Sequence, residues 1–190
     1  QQNQAGELRN FAATLDLMVL VNAEDRFLAS ALTLCNELAS RTGSQRVSLG
    51  WCEGREVRLR AISHTEKFER KMSGVREIEG VLDECLDQDE ELIYPPPPGR
   101  TTVVRQLEQF LRANGADYAV AMPIRFDGEP VAALLCERRE QPYDDDDIRL
   151  LRLVCDQAAR PLADLQRHDR WLGSRLLAYT RDKLGLVLGV

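Results

Sequence analysis

The chain has 190 residues, of which 44% are apolar and 29% charged, and its formal net charge is −6. These proportions are those of a globular protein and exclude a largely disordered chain. Broad nucleic-acid binding needs a basic face, so the acidic balance argues against a nucleic-acid partner. The length suits one domain of ordinary size with extensions.

Cysteine usage indicates a reducing compartment. The five cysteines are odd in number and widely spaced, and they form no C-x-x-C pair, which argues against a disulfide framework and a zinc site. Each lies in an apolar context, so we expect small buried thiols and a cytoplasmic location. The apolar stretch Leu184–Val190 suggests the start of a further segment, and membrane tethering through residues beyond Val190 stays open.

Apolar residues at helical spacing predict two N-terminal helices. The first covers Gly6–Val21. Its apolar face comprises Leu8, Phe11, Leu15 and Met18. Asn22 is then a candidate N-cap, with Asp25 three residues on, for a second helix that ends at Gly43. The apolar face of this helix comprises Phe27, Ala31, Leu34 or Cys35, and Leu38.

A strand pair and a third helix follow. Apolar and small or polar residues alternate over Val47–Cys52, and a turn at Glu53-Gly54 leads to a second alternating strand over Val57–Ala61. Helical spacing then resumes, with Thr65 as its cap. The apolar face of the third helix comprises Phe68, Met72, Val75, Ile78, Leu82 and Cys85.

The middle of the chain contains a short strand and a short helix. The strand covers Glu90–Tyr94 and ends at Pro95–Pro98, a segment without amide donors that predicts an extended connector. The helix ends at Asn114-Gly115. Its apolar residues are Val103, Leu107, Phe110 and Leu111.

The stretch Tyr118–Glu137 predicts a hairpin at the centre of the sheet. Asp127-Gly128 separates two apolar runs, and such a pair favours a type I′ turn because both central residues need positive φ. The second run, Val131–Cys136, is almost continuously apolar, which indicates a strand covered on both faces.

A long last helix begins at Asp144–Asp147, where acidic side chains favour the positive end of the helix dipole. Apolar residues then recur at steps of three and four, with Asp169 as a break, and Pro161 is expected to kink the helix. This spacing predicts that the helix pairs with a second copy of the chain in a homodimer. The predicted dimer residues are Ile148, Leu151, Cys155, Leu162, Leu165 and Leu172.

The order of elements predicts an α/β (α+β) sandwich with a central antiparallel sheet of about five to six strands and helices on both faces. Long helices are expected at both ends. The predicted organisation is an N-terminal helix over residues 1–22, a domain over 23–165 and a helical extension over 166–190.

Residues 23–165 resemble a GAF domain, with PAS-type domains as the competing likeness. The resemblance rests on a strand pair and on the central hairpin. The strand pair is Val47–Trp51 with Val57–Ala61, and the hairpin is Ala119–Ile124 with Pro130–Leu135. This resemblance implies a sensory or regulatory module. Two further stretches, Ala61–Arg70 and Glu84–Gln88, resemble GAF domains that are fused to HlyD-type membrane-fusion proteins. This narrower resemblance implies a role beside a membrane transporter.

The resemblance also implies a ligand pocket between the sheet and the third helix. Our candidates for its walls are Trp51, His64, Tyr94 and Met122, and neither the ligand nor a cofactor is identified. The Asn-Lys-Phe-Asp-Glu motif of cyclic-nucleotide-binding members is absent, apart from an echo at Thr65–Glu69. Neither His64 nor His168 adjoins a cysteine, as bilin attachment would favour, and we expect His168 on a solvated helix face.

Catalytic motifs are missing from the sequence. No serine has a G-x-S-x-G context, no glycine loop predicts a phosphate cradle, and the histidine spacing predicts no metal site. We therefore expect a non-catalytic module, with a ligand-free structural domain for dimerisation or docking as the alternative. A minor alternative is a free methionine sulfoxide reductase, implied by other GAF proteins, in which Cys52, Cys85 and Cys136 would converge.

Overall fold

The computed structural model describes residues 2–65, 67 and 73–187, with side chains for 6–65, 67 and 74–171. The predicted positions Phe68 and Met72, and the side chain of Leu172, lie outside the described part. The elements in chain order are α1 (Gln2–Asn22), α2 (Phe27–Thr42), β1 (Arg46–Glu53), β2 (Glu56–Ile62), α3 (Ser73–Gln88), β3 (Leu92–Tyr94), α4 (Arg105–Asn114), β4 (Tyr118–Phe126), β5 (Glu129–Arg138) and α5 (Asp145–Val187).

The five strands form one antiparallel sheet in the order β2-β1-β5-β4-β3. β5 is therefore the central strand, and the predicted architecture is confirmed. The turn before it has φ of 53° at Asp127 and 87° at Gly128, which are the two positive values that a type I′ turn requires. Gly43 and Gly115 end α2 and α4 in the left-handed conformation, as predicted.

Each face of the sheet is covered by a different set of helices. We call the side covered by α1, α2 and α5 the long-helix face and the side covered by α3 and α4 the short-helix face. Alternation along β5 supplies both cores, because Leu134 and Cys136 point to the long-helix face while Ala133 and Leu135 point to the other. Within the described residues, no helix is both long enough and apolar enough to cross a bilayer.

The predicted inner face of α1 is wrong. Leu8, Phe11 and Leu15 are exposed by 70%, 56% and 50%, and of the four predicted residues only Met18 is buried. The helix has a second stripe about a third of a turn away, and that stripe packs against the domain. Its buried residues are Asn10, Thr14, Leu17, Met18 and Val21. The two polar members are satisfied, since Thr14 Oγ1 donates to Asn10 O at 2.8 Å and Asn10 Nδ2 donates to Asp146 O at 3.2 Å.

Two predicted helix caps are also wrong. Asn22 belongs to the end of α1, and the backbone N–H of Phe27 at the start of α2 donates to Asp169 Oδ2 at 2.9 Å. The cap is supplied by α5 across the fold, so local sequence could not show it. Thr65 does not cap α3, because it pairs with Ile62 in an isolated β-bridge and the helix begins at Ser73.

α5 begins where predicted and is tied firmly to the domain. Asp144 caps it by accepting from the N–H of Asp147 at 2.8 Å, and the carboxylate of Asp147 accepts from Arg138 Nη2 at 2.6 Å. The Arg138 guanidinium lies 4.0 Å from the ring centroid of Tyr143. The acidic start of α5 is therefore also an anchor to β5, in addition to its interaction with the helix dipole.

Five of the six residues that were predicted to contact a partner chain along α5 face the domain instead. Ile148, Leu151, Cys155 and Leu162 are buried in the core of the long-helix face, and Leu165 packs against it. These side chains are covered by α1, α2 and β4 of the same copy, so their assignment to the dimer contact is corrected. The homodimer itself stays a prediction.

Candidate functional site

The short-helix face, where the pocket was expected, is tightly packed over its described residues. A Cβ on Gly50 would lie 2.5 Å from Val57 Cγ1 and 2.6 Å from Leu82 Cδ1, so only glycine permits this approach of α3 to β1. Large side chains fill the layer between helices and sheet. Those buried almost completely include Ile78, Leu82, Leu92, Leu107, Phe110 and Leu135.

Acidic residues of α3 close the open edge of the sheet. The backbone N–H of Leu59 donates to Glu79 Oε1 at 2.9 Å, and the backbone N–H of Val57 donates to Asp83 Oδ1 at 3.2 Å. Burial raises the pKa of the Asp83 carboxyl, and the hydrogen bond from Val57 opposes this rise. Because these amides of β2 are satisfied, the edge offers little to an added strand.

α3 also holds α4 in place. The Glu84 carboxylate accepts from the backbone N–H of Gln106 at 3.0 Å and of Leu107 at 3.1 Å, so it caps α4. The Gln88 amide binds both the N–H and the carbonyl of Val103 at 2.8 Å. These contacts give Glu84 and Gln88 a role within the fold.

The four predicted pocket residues do not come together. Trp51 is buried on the long-helix face, with its ring centroid 5.0 Å from that of Phe27 in an edge-to-face contact. His64 is exposed with φ of 60°, and its backbone N–H donates to Asn36 Oδ1 at 2.7 Å. Tyr94 packs against the core of the short-helix face, and Met122 is buried on the opposite side.

Met122 lines a cavity of about 190 Å³ that sequence analysis did not predict. We call it the charged cavity, and it lies between α5 and the β3–β4 edge of the sheet. Its lining residues are Glu91, Met122, Pro123, Arg125, Arg152, Cys155 and Asp156. No sequence motif marks it, because the residues come from three segments that only the fold brings together.

Ion pairs form the walls of the charged cavity. Arg152 donates to Glu91 with Nε and with Nη2, the latter at 2.7 Å, while Arg125 Nε donates to Asp89 Oδ1 at 2.8 Å. The hydrogen bond from Arg152 is the largest cause of a lowered pKa of the Glu91 carboxyl, and burial opposes it. Among the described residues Asp156 makes no hydrogen bond or ion pair.

A second concave surface lies between the exposed side of α1 and α5. This groove has a volume of about 700 Å³ and is mainly apolar, and Arg149 and Arg152 are among its lining residues. It continues into a row of exposed apolar residues along α1, which we call the outer stripe. The outer stripe comprises Leu8, Phe11, Leu15 and Val19.

The cysteines lie in two separate layers. Cys85 belongs to the core of the short-helix face and half-buried Cys52 packs against it, whereas Cys136 lies in the core of the long-helix face, so the sheet keeps them apart. Burial raises the pKa of Cys52, and it raises the pKa of Cys85 and of Cys136 to about 12. The reactive form of a cysteine is the thiolate, and burial disfavours it at all three positions.

His168 is exposed on α5, as predicted. In the described part of the chain, no group of three or more His, Cys, Asp or Glu side chains is arranged to hold a metal ion. The functional candidates are therefore the charged cavity and the outer stripe with its groove, both of which involve α5.

The sequence between residues 26 and 162 matches the family model for the GAF domain, and this match covers more than half of the chain. The chain belongs to the GAF domain family. No curated protein matches the sequence.

Solved structures of other GAF domains have the same fold. The GAF domain from Acinetobacter phosphoenolpyruvate-protein phosphotransferase is 11% identical, with a TM-score of 0.65 over 85% of this chain and 98% of that chain. The phycoerythrobilin-bound GAF domain from a cyanobacterial phytochrome is 14% identical, with a TM-score of 0.60 over 86% and 99%.

An enzyme is also among the similar structures. Free methionine-R-sulfoxide reductase from Neisseria meningitidis, solved with its substrate, is 10% identical, with a TM-score of 0.61 over 84% of this chain and 91% of that chain. At such identities the likeness shows the GAF fold alone. Function therefore has to be argued from the residues of this chain.

Proposed function

We propose that this GAF domain is a non-catalytic regulatory module that forms a homodimer through its terminal helices and transmits a signal along α5. The outer stripe is the observation that carries the proposal. Leu8, Phe11, Leu15 and Val19 are each at least half exposed and lie on one side of α1. A contiguous apolar surface of this kind marks an interaction site on a soluble domain.

A second copy of the chain fits this surface. A two-fold axis brings the same stripe of both copies together, so that each apolar face covers the other. Four of the α5 residues that were predicted to make this contact are buried within one copy and Leu165 packs against the same core, so we assign α1 the larger part. The groove between α1 and α5 continues the stripe and gives the partner helix a concave surface to pack against.

Contacts along α5 support a role in transmission. Arg160 and Arg167 both lie over the ring of Phe126 at the hairpin tip, at 5.4 and 5.3 Å from its centroid. Two residues after Arg167, Asp169 caps α2. The helix then continues through Val187. A small movement of the hairpin or of α2 would therefore shift the two anchors from which the rest of α5 extends.

Analytical ultracentrifugation of the full chain tests the dimer. Phe11→Ser with Leu15→Ser removes two apolar side chains, each contributing roughly 1.5–3 kcal/mol when buried, so the dimer dissociation constant should rise at least about 100-fold. Val103→Ser is the matched control, because Val103 is as exposed as Phe11 but lies before α4, away from the outer stripe. A monomeric wild type, or a double variant that dimerises as well as the control, would overturn the dimer.

The alternative is a ligand-free structural domain for dimerisation or docking, and the filled short-helix face favours it. Gly50 and Leu82 meet where the resemblance places a pocket, so a ligand bound there would have to displace core side chains. Thermal-shift measurements with cyclic nucleotides, amino acids and haem separate the two functions. A ligand at 100 times its dissociation constant should stabilise the fold by about 2.7 kcal/mol.

The separation and raised pKa values of the cysteines support a non-catalytic function over a methionine sulfoxide reductase. Turnover of free methionine sulfoxide by the purified chain with thioredoxin recycling would overturn this part of the proposal. Variants Cys52→Ser and Cys136→Ser would then identify the cysteines involved.

Attachment to a membrane-transport adaptor on the cytoplasmic side stays a prediction from the HlyD-type resemblance. Part of that resemblance rests on Glu84–Gln88, whose side chains also serve to hold α4. Fractionation of the full-length protein in cells tests the prediction. Recovery with the membrane pellet supports it, and recovery only in the soluble fraction contradicts it.

A further inference from the structure

The charged cavity presents unused hydrogen-bonding groups of both signs. Arg125 and Arg152 bind their acidic partners through Nε and Nη2, which leaves Nη1 of each without a partner among the described residues. The Asp156 carboxylate on α5 lines the same cavity, and within the described residues it has no hydrogen bond or ion pair. Residues with spare donors and a residue with a spare acceptor thus line one space.

Buried apolar side chains form one wall of the cavity. Met122 and Cys155 are buried there, and Pro123 completes it. A cavity of about 150 Å³ can hold a ligand of roughly six non-hydrogen atoms. The charged cavity, at about 190 Å³, is large enough for such a molecule.

We propose that the charged cavity binds a small zwitterion with one carboxylate and one ammonium group, of the size of a short-chain free amino acid. The carboxylate would accept from Nη1 of Arg125 and Arg152, and the ammonium would donate to Asp156. A short side chain would lie on Met122 and Cys155. A plain anion would leave Asp156 unpaired and bring a second negative charge near it, and a plain amine would face two guanidinium groups.

Binding at this position would link two elements of the fold. Arg152 and Asp156 belong to α5, whereas Arg125 lies at the end of β4 beside the hairpin tip. A bound zwitterion would therefore fix α5 relative to β4. Its use as a signal rests on the proposed regulatory function, but binding itself does not.

Titration of the full chain with L-alanine, followed through the methyl signal of Met122, tests the site. Acetate and methylamine are the matched probes, since each carries one of the two charges. For alanine, which has six non-hydrogen atoms, we expect a dissociation constant on the order of 1 mM. Each single-charge probe should bind at least about tenfold more weakly.

Asp156→Asn is the decisive variant, because Asp156 has no hydrogen-bond or ion-pair partner among the described residues and its loss should not affect folding. It should weaken alanine binding about tenfold and leave acetate binding unchanged or stronger. Asp164→Asn, on the same helix outside the cavity, is the control and should bind alanine like wild type. Equal binding of acetate and alanine, no saturable shift of Met122, or unchanged binding by Asp156→Asn would overturn the proposal.

The same titration of the Phe11→Ser/Leu15→Ser variant separates this inference from the dimer. Alanine binding with an unchanged dissociation constant in a monomeric variant supports the site independently of the interface. Loss of binding together with the dimer would place the site at the interface and contradict a cavity formed by one copy.

Discussion

The two faces of the sheet differ in how completely their helices close them. On the short-helix face, Gly50 admits α3 so closely that Leu82 fills the space above β1, and carboxylates of α3 bind the amides of β2. On the long-helix face, the charged cavity lies at the β3–β4 edge and α1 turns an apolar stripe to solvent. The face on which the resemblance places a ligand is thus the better packed one.

The difference follows from geometry at the sheet edges. β3 has only three residues, and the charged side chains of Glu91, Arg125 and Arg152 line the charged cavity beside this edge. α3 meets a full-length strand pair, and a glycine removes the side chain that would hold it away. We therefore propose that the long-helix face carries the contacts with other molecules.

Leu82→Ala should give the largest loss of stability, about 2–5 kcal/mol, because it opens a cavity in the packed face. Gly50→Ala alone should cost about 1–3 kcal/mol by overpacking the same space. If the two positions share one space, the double variant should cost less than the sum of the single losses. Urea unfolding of the three variants measures this, and additive losses would show that Leu82 and Gly50 do not occupy one space.

Asp169→Ala should have a smaller effect, about 0.5–2 kcal/mol, because it removes the cap of α2. Hydrogen exchange should rise at the start of α2 around Phe27 and at the neighbouring part of α5. Asp164→Ala removes an exposed carboxylate from the same helix and should leave exchange at Phe27 unchanged. Equal exchange in both variants would show that α5 is not anchored through this cap.

The substitution Glu137→Gln should have the smallest effect, which is a change in how the free energy of unfolding depends on pH. Burial raises the pKa of this carboxyl above 4.5, and the hydrogen bond from Arg46 opposes the rise without cancelling it. Because the pKa of Glu137 is higher in the folded than in the unfolded state, this carboxyl stabilises the fold fully at pH values below its unfolded-state pKa. That stabilisation is lost as pH rises through its folded-state pKa. Wild type should therefore lose stability relative to Glu137→Gln over that interval.

Unfolding free energies of wild type and Glu137→Gln between pH 4 and neutrality, roughly the window of a buried carboxyl, test this sign. The exposed Glu140→Gln is the control and should show no such trend. A wild type that gains stability relative to Glu137→Gln as pH rises would show that the ion pair with Arg46 outweighs burial.

Features set by neighbouring residues could be predicted from the sequence. The Asp127-Gly128 turn and the helix ends at Gly43 and Gly115 depend on backbone conformations that few residues adopt, and all three are confirmed. The continuous apolar run of β5 likewise identified the central strand. Such features require no knowledge of the rest of the fold.

Features set by distant contacts could not be predicted. α1 carries two apolar stripes, and only the packed domain selects the one with Asn10 and Thr14, whose polar groups find partners there. The spacing of the apolar residues along α5 could not show whether they face the core of the same chain or a partner chain. The charged cavity joins Glu91, Arg125 and Asp156 from three segments, and no local pattern relates them.

Methyl NMR spectra of the full chain over a concentration series test most directly whether the long-helix face makes the external contacts. We expect the signals of Leu8, Leu15 and Val19 to shift with concentration, because the proposed second copy would cover them, while those of Leu59 and Leu82 stay unchanged. Shifts confined to Leu59 and Leu82, or no shift at any of the five, would contradict the account.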